Sequence, residues 1–212
     1  MTSVPVTKAA ASSATKTKTK ASARASRPRG RARREALLEA VLKIVAELGT
    51  DAVTHRRVAE VAELPLASTT YWFESKEHLL TAALELAAER DLARLREDTS
   101  GAAADTEPLE LAVRAIVSPT EPVRGSLITT YALLLEAARR PALRAIAERW
   151  TEAYLRIIGR LLEQAGSARP REDAELLLAA ADGLLMEQLA SGHTSDLRPR
   201  LIRLGQALVE RP

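Results

Sequence analysis

Apolar residues recur along this chain with a period close to 3.6, and polar residues fill the intervals. Leu37, Leu38, Val41, Leu42, Val45 and Leu48 form one stripe, with Glu39, Lys43 and Glu47 off it, which is the pattern of a helix with one buried face. Gly49 follows as a natural stop. Thr54 reads as the N-cap of a short helix carrying Val58, Val61 and Ala62. Leu64-Pro65 breaks that helix, and a second short one is predicted over 66–73. Ser75 caps a longer helix, predicted over 76–97, with Glu77 in its first turn where an acid complements the helix dipole.

The helical period continues to the end. A loop over 99–107 surrounds Gly101, and a short helix over 108–117 is ended by Ser118-Pro119. Pro122 opens a helix carrying Leu127, Tyr131, Leu134 and Leu135, which Pro141 ends. Residues 142–165 form a longer helix closed at Gly166, and residues 172–190 a strongly apolar one. The last, over 196–210, sets Leu197, Leu201, Leu204 and Leu208 on one face and tolerates Pro199 in its first turn. No segment reads as a strand and no repeat has a fixed period. The expected fold is therefore all-α.

Composition narrows the function. The chain's 212 residues allow one or two domains with a real core. There is no cysteine, so disulfides, thiol nucleophiles and cysteine zinc sites are excluded. The three histidines, His55, His78 and His193, are too scattered to pair on a metal, and no phosphate-binding glycine loop or nucleophile elbow occurs. No enzyme activity, cofactor or metal is expected. The uncharged run Gly125–Leu135 is far shorter than the ~20 residues that span a bilayer. The N-terminus lacks the apolar core of a secretory signal. The expectation is a cytoplasmic protein, associated with the nucleoid if it binds DNA.

Charge is distributed unevenly. The formal net charge is +3, yet residues 1–34 hold ten basic side chains and no acid, while residues 35–212 hold 21 basic and 28 acidic ones. The first segment, rich in Ala, Ser, Thr, Lys and Arg, cannot bury enough surface to offset its ordering entropy, so it is predicted to be disordered. Three readings stand: a solvated extension, a basic arm reaching DNA phosphates or a minor groove, or an organelle transit peptide.

The informative window is 37–80. Two short helices joined by the tight turn Ala62-Glu63-Leu64-Pro65 make a helix-turn-helix, and the second is short enough to lie in a major groove. Three of the chain's six aromatics are consecutive, Tyr71, Trp72 and Phe73. One helical turn cannot bury all three, so Phe73 is expected inward and the other two partly exposed. The stretch 53–62, Val-Thr-His-Arg-Arg-Val-Ala-Glu-Val-Ala, with 68–80, Ser-Thr-Thr-Tyr-Trp-Phe-Glu-Ser-Lys-Glu-His-Leu-Leu, resembles the DNA-binding domain of the Tet-repressor (TetR) family of bacterial transcription regulators. The resemblance covers residues 33–82. The chain departs from the family in having Glu63 where a turn glycine is usual, Pro65 where a Ser or Thr cap is common, and Thr70 where tyrosine is frequent.

The resemblance implies a basic arm over 1–32, a DNA-binding domain over 33–80 and a helical ligand-binding and dimerisation domain over 81–212. It implies a DNA-facing set of Thr54, Arg56, Leu66, Ala67, Ser68, Thr69, Thr70, Tyr71, Trp72 and Lys76. Ala67, Ser68 and Thr69 would face outward, Thr70, Tyr71 and Trp72 would hold the backbone, and Lys76 would meet a phosphate at a helix N-terminus. Local alternatives are a solvated Lys76 and an Arg56–Glu60 pair at i, i+4. Residues 35–80 carry four basic and eight acidic side chains, a poor balance for approaching phosphates. Arg33, Arg34 and the rest of the basic segment would compensate.

For the second part of the chain, the last two helices are the expected dimer contacts, through Leu177, Leu184, Leu185, Leu201, Leu204 and Leu208, with Gly183 and Gly205 permitting close approach. The alternative is that these helices close the monomer core. An effector pocket for an apolar or amphipathic small molecule is expected around Tyr131, Leu135, Trp150, Tyr154, Asp182 and Met186, although the aromatics also suit an ordinary core. The expected partners are an operator duplex, a small effector and a second copy of the chain. The expected function is a ligand-responsive regulator, with repression as the default; the alternative is a helical adaptor that reads no DNA.

Overall fold

The computed structural model describes residues 28–100, 106–117 and 124–211, and among them the chain is helical with no strand. α1 spans Pro28–Leu48 and leads into a 3-10 turn at Thr50–Ala52. α2 (His55–Val61) and α3 (Leu66–Trp72) are short, and α4 (Lys76–Ser100) is a long strut leaving the head. The body adds α5 (Pro108–Ile116), α6 (Arg124–Ala137), α7 (Pro141–Gln164), α8 (Pro170–Ser191) and α9 (Arg198–Val209).

The helix ends follow local chemistry. Thr54 caps α2 by accepting the Arg57 N–H at 3.2 Å, and Ser75 caps α4 by accepting the His78 N–H at 3.1 Å. α1 begins at Pro28, not Arg33, so residues 28–32, assigned to the arm from sequence, continue the first helix; proline suits the first helical position. The remainder of the arm, 1–27, lies outside the described residues, as do Gly101, Ser118-Pro119 and Pro122. α4 runs past Glu97 to Ser100 because the Thr99 and Ser100 hydroxyls donate back to the carbonyls of Leu95 (2.8 Å) and Arg96 (2.6 Å) instead of stopping the helix.

Two apolar cores result. The first gathers Leu37, Leu38, Val41, Ile44 and Val45 of α1 with Val58, Phe73, Leu79, Leu80 and Leu84, and runs on into Leu133, Leu143 and Trp150 of the body. It crosses the expected division at residue 80 without a seam, so head and body share buried surface. The second gathers Ala112, Val113, Ile158, Leu162, Leu177, Leu201 and Leu208 at the far end. Leu48, placed on the α1 stripe from sequence, is 58% exposed because the chain turns away at Gly49; Ile44 is buried instead.

Candidate DNA-reading head and ligand cavity

The head's turn is built by two backbone bonds: Leu64 N–H to the Ala59 carbonyl at 3.0 Å and Glu63 N–H to the Glu60 carbonyl at 3.2 Å. This is the Schellman ending of a helix, which places its C′ residue in the left-handed region. That residue is Glu63, with φ 53°. The glutamate thus keeps the conformation for which glycine is usual.

α3 then presents Leu66, Ala67, Thr70 and Tyr71 to solvent, with Ser68 and Trp72 half-buried. Thr69 does not face outward as expected. It is fully buried and its hydroxyl donates to the Leu66 carbonyl at 2.8 Å, because position 69 falls on the face of α3 turned to the head's core. Phe73 is buried, while Tyr71 packs edge-on against Trp72 with centroids 5.1 Å apart. Arg34 lies over the Phe73 ring, 5.7 Å from its centroid, whereas Arg33 is exposed.

Arg56 forms the intrahelical pair with Glu60 at 2.9 Å, both side chains largely in water. Lys76 donates to the Asp51 carbonyl at 3.3 Å and sits 3.7 Å from its carboxylate, so it fastens α4 to the 3-10 turn. Arg57 is not among the DNA-facing residues expected from sequence. It is exposed in the first turn of α2, directly after Arg56, and has no ion pair among the described residues.

The body holds a cavity of about 480 Å³, partly open to solvent and walled by α1 and by α4 to α8. Tyr131, Trp150, Tyr154 and Asp182 line it as expected. Leu135 does not: it is 68% exposed, one position beyond the lining Leu134 and hence about 100° around the helix. Met186 is also exposed and off the cavity, while its neighbour Leu185, expected at a dimer contact, lines it.

A polar network crosses the cavity wall. Arg94 donates to Asp91 (2.8 Å), Asp98 (2.9 Å) and the Tyr154 hydroxyl (3.1 Å), and the Trp150 indole N–H donates to Asp91 at 3.0 Å. Burial works against the Arg94 charge, but these hydrogen bonds and charges outweigh it and hold its pKa above the ordinary value. Burial, then the charge of Asp91, raises the Tyr154 phenol. On the opposite wall Tyr131 donates to Asp182 at 3.0 Å. Burial raises both groups, reinforced for Tyr131 by the Asp182 charge and opposed for Asp182 by the Tyr131 hydrogen bond. Asp91 and Arg94 could not be singled out from sequence, where they resemble an ordinary i, i+3 pair.

Residues 103–211 match the family model for the tetracyclin repressor-like C-terminal domain. The chain belongs to the TetR family. The match falls on the half without sharp motifs and complements the resemblance in the head. The HTH-type transcriptional regulator BetI of Rhizobium meliloti (strain 1021) is 28% identical over 163 residues, 73% of this chain and 77% of that protein. A transcriptional regulator from Rhodococcus sp. Rha1 shares the fold with a TM-score of 0.75 at 22% identity, over 83% of this chain and 95% of that one. The multidrug binding protein EbrR, solved in complex with ethidium, gives a TM-score of 0.63 at 28% identity, over 83% of this chain and 97% of its own. Membership of this family makes the chain a transcriptional regulator and not an enzyme, and no helix among the described residues is long and apolar enough to cross a membrane.

Within this TetR-family body the expected dimer leucines divide differently. Leu177, Leu201 and Leu208 are buried in the chain's own core, and Leu184 and Leu204 pack half-buried against it. Gly205 sits against Leu109 of α5, where a Cβ would clash, so its close approach is internal. The exposed apolar strip of α8 is instead Leu176, Ala179, Gly183 and Met186; with a 3.6 period these fall on the face opposite Ala174, Leu177 and Ala181.

Proposed function

We propose that this regulator binds a palindromic operator as a dimer, with α3 of each subunit in a major groove, and that a small molecule filling the body cavity releases the DNA. The observation that carries this reading is α1. Its apolar face is the core of the DNA-reading head, while Glu39 and Leu42 of the same helix form part of the cavity wall. A ligand there touches the head's first helix directly, and it shifts DNA affinity to the extent that it binds the two head spacings differently.

In the groove, Ala67 and Leu66 allow close approach, Ser68 and Thr70 offer hydroxyls, and Tyr71 with Trp72 braces the backbone. Arg33, Arg56, Arg57 and Lys76 flank this surface, with the Thr54 hydroxyl holding the start of α2. Thr69 and Arg34 support it from within. α1 has no acid in its first turn but carries arginines at 29, 31, 33 and 34. Cations at the positive end of a helix dipole are unfavourable alone; a phosphate bound there relieves the repulsion, which supports a DNA role for this end and for the basic residues before it. The exposed α8 strip supports pairing of two copies about a two-fold axis. EbrR's complex with ethidium supports an apolar or amphipathic effector.

Selection of bound genomic fragments tests the reading. The expected product is an inverted repeat whose half-sites lie one or more helical turns apart. Enrichment of no sequence over random duplex leaves the helical adaptor as the better reading.

A further inference from the structure

The charges lining the cavity do not balance. Its two arginines are both committed, Arg90 to Glu35 and Glu39 and Arg94 to Asp91 and Asp98. Each guanidinium therefore answers two carboxylates. Asp182 stands apart: its one partner among the described residues is the Tyr131 hydroxyl on Oδ1, and Oδ2 has none. Its neighbours along that face of α8, Leu178 and Leu185, are aliphatic and line the same cavity, as do Tyr131 and Tyr154.

We propose that the cavity takes an organic cation, an amine or ammonium head on an apolar body, with Asp182 as its counter-ion and Tyr131 as the group that positions the carboxylate. An anion would meet Glu39, Asp91 and Asp182 with no uncommitted guanidinium in the lining. Asp182 is exposed in the free chain; a neutral ligand of the same size would cover it and strip its water without replacing it, which costs more than leaving the site empty of that contact. A cation makes that burial favourable and leaves the aromatic and aliphatic lining for its body. The raised carboxyl of Asp182 agrees with a charged form short of partners.

This inference rests on the cavity being the effector site, so binding and DNA release are read separately. Phenylalkylamines with four-, six- and eight-carbon chains, and the matching alcohols and carboxylates, are titrated calorimetrically into the full chain without DNA. The best amine is expected to bind at least tenfold tighter than its alcohol, the carboxylate more weakly than either, and Asp182→Asn to erase the amine's advantage while leaving the alcohol unchanged. Tyr131→Phe should reduce the advantage without abolishing it. Equal affinity for amine and alcohol, an advantage that survives Asp182→Asn, or no binding across the amine series overturns the inference. An amine that binds through Asp182 yet leaves operator affinity unchanged upholds the ligand class and overturns the release reading. A neutral ligand that binds better than the amine and releases DNA does the reverse.

Discussion

At the scale of single residues, one backbone device occurs twice with different side chains. α7 ends as α2 does: Ser167 N–H bonds the Leu162 carbonyl at 2.9 Å, Gly166 N–H bonds the Glu163 carbonyl at 3.0 Å, and Gly166 takes φ 97°. Glu63 occupies the equivalent position after α2 with a Cβ that disfavours it by about 1–2 kcal/mol. Glu63→Gly should therefore stabilise the protein by about 1 kcal/mol, less a few tenths for the freer unfolded chain, and Gly166→Ala should destabilise it by about 1–2 kcal/mol. Thermal unfolding of both variants checks the opposite signs. Sequence showed that Glu63 was out of place for a turn; only the backbone bonds show that the turn is kept. Thr69 went the other way. Its neighbours on α3 are exposed, and nothing local distinguishes it from Ser68 until the packing of α3 on α1 sets which hydroxyl is enclosed.

At the scale of elements, α6 joins head to body. It gives Leu127, Thr129, Tyr131 and Leu134 to the cavity, and the Thr129 hydroxyl lies between the Gly125 carbonyl of its own helix at 2.8 Å and the Leu42 carbonyl of α1 at 3.2 Å. Its C-terminal end carries Glu136, which accepts from Arg140 at 2.7 Å and from the Thr50 hydroxyl at 3.1 Å. The Arg140 hydrogen bond above all, then that of Thr50 and the Arg140 charge, hold the Glu136 carboxyl below its ordinary value against the effect of burial. A lowered carboxyl contributes stability that is present above its unfolded pKa of about 4.3 and is lost as pH falls through the folded value. Glu136→Gln should cost about 1–2 kcal/mol at pH 7, and the gap to wild type should close as pH drops below about 4. A gap of constant size from pH 7 to pH 3.5 would mean that the charge is not what matters. The existence of α6 was legible in its apolar period, but its partners were not, since Thr50 and Glu136 are far apart in sequence.

At the scale of the whole molecule, the exposed α8 strip and the basic segment carry the predictions. If α8 pairs two copies as proposed, Met186→Glu should sediment as a monomer where the wild type sediments as a dimer and lower operator affinity by about a hundredfold, roughly 2.7 kcal/mol, whereas Leu177→Ala should cost about 2–5 kcal/mol of stability from the chain's own core. Deleting residues 1–27, which keeps α1 whole and removes six basic side chains, should weaken operator binding and flatten the slope of log K against log salt by about 0.9 per lost phosphate contact; an unchanged slope would show that the segment takes no part. What sequence determined by itself was local: helix periods, caps at Thr54 and Ser75, the inward Phe73, and the head's likeness to the TetR family. Each depends on residues within a few turns of one another. What only the tertiary structure decided was which side of each helix is covered and by what. Adjacent residues on a helix point about 100° apart, so Leu134 enters the cavity and Leu135 does not, and Leu185 enters while Met186 stays exposed. Charge pairing divides in the same way: Arg94 meets Asp91 and Asp98 within α4, whereas only packing brings Arg90 of α4 to Glu35 and Glu39 of α1 and sets Asp182 of α8 against Tyr131 of α6.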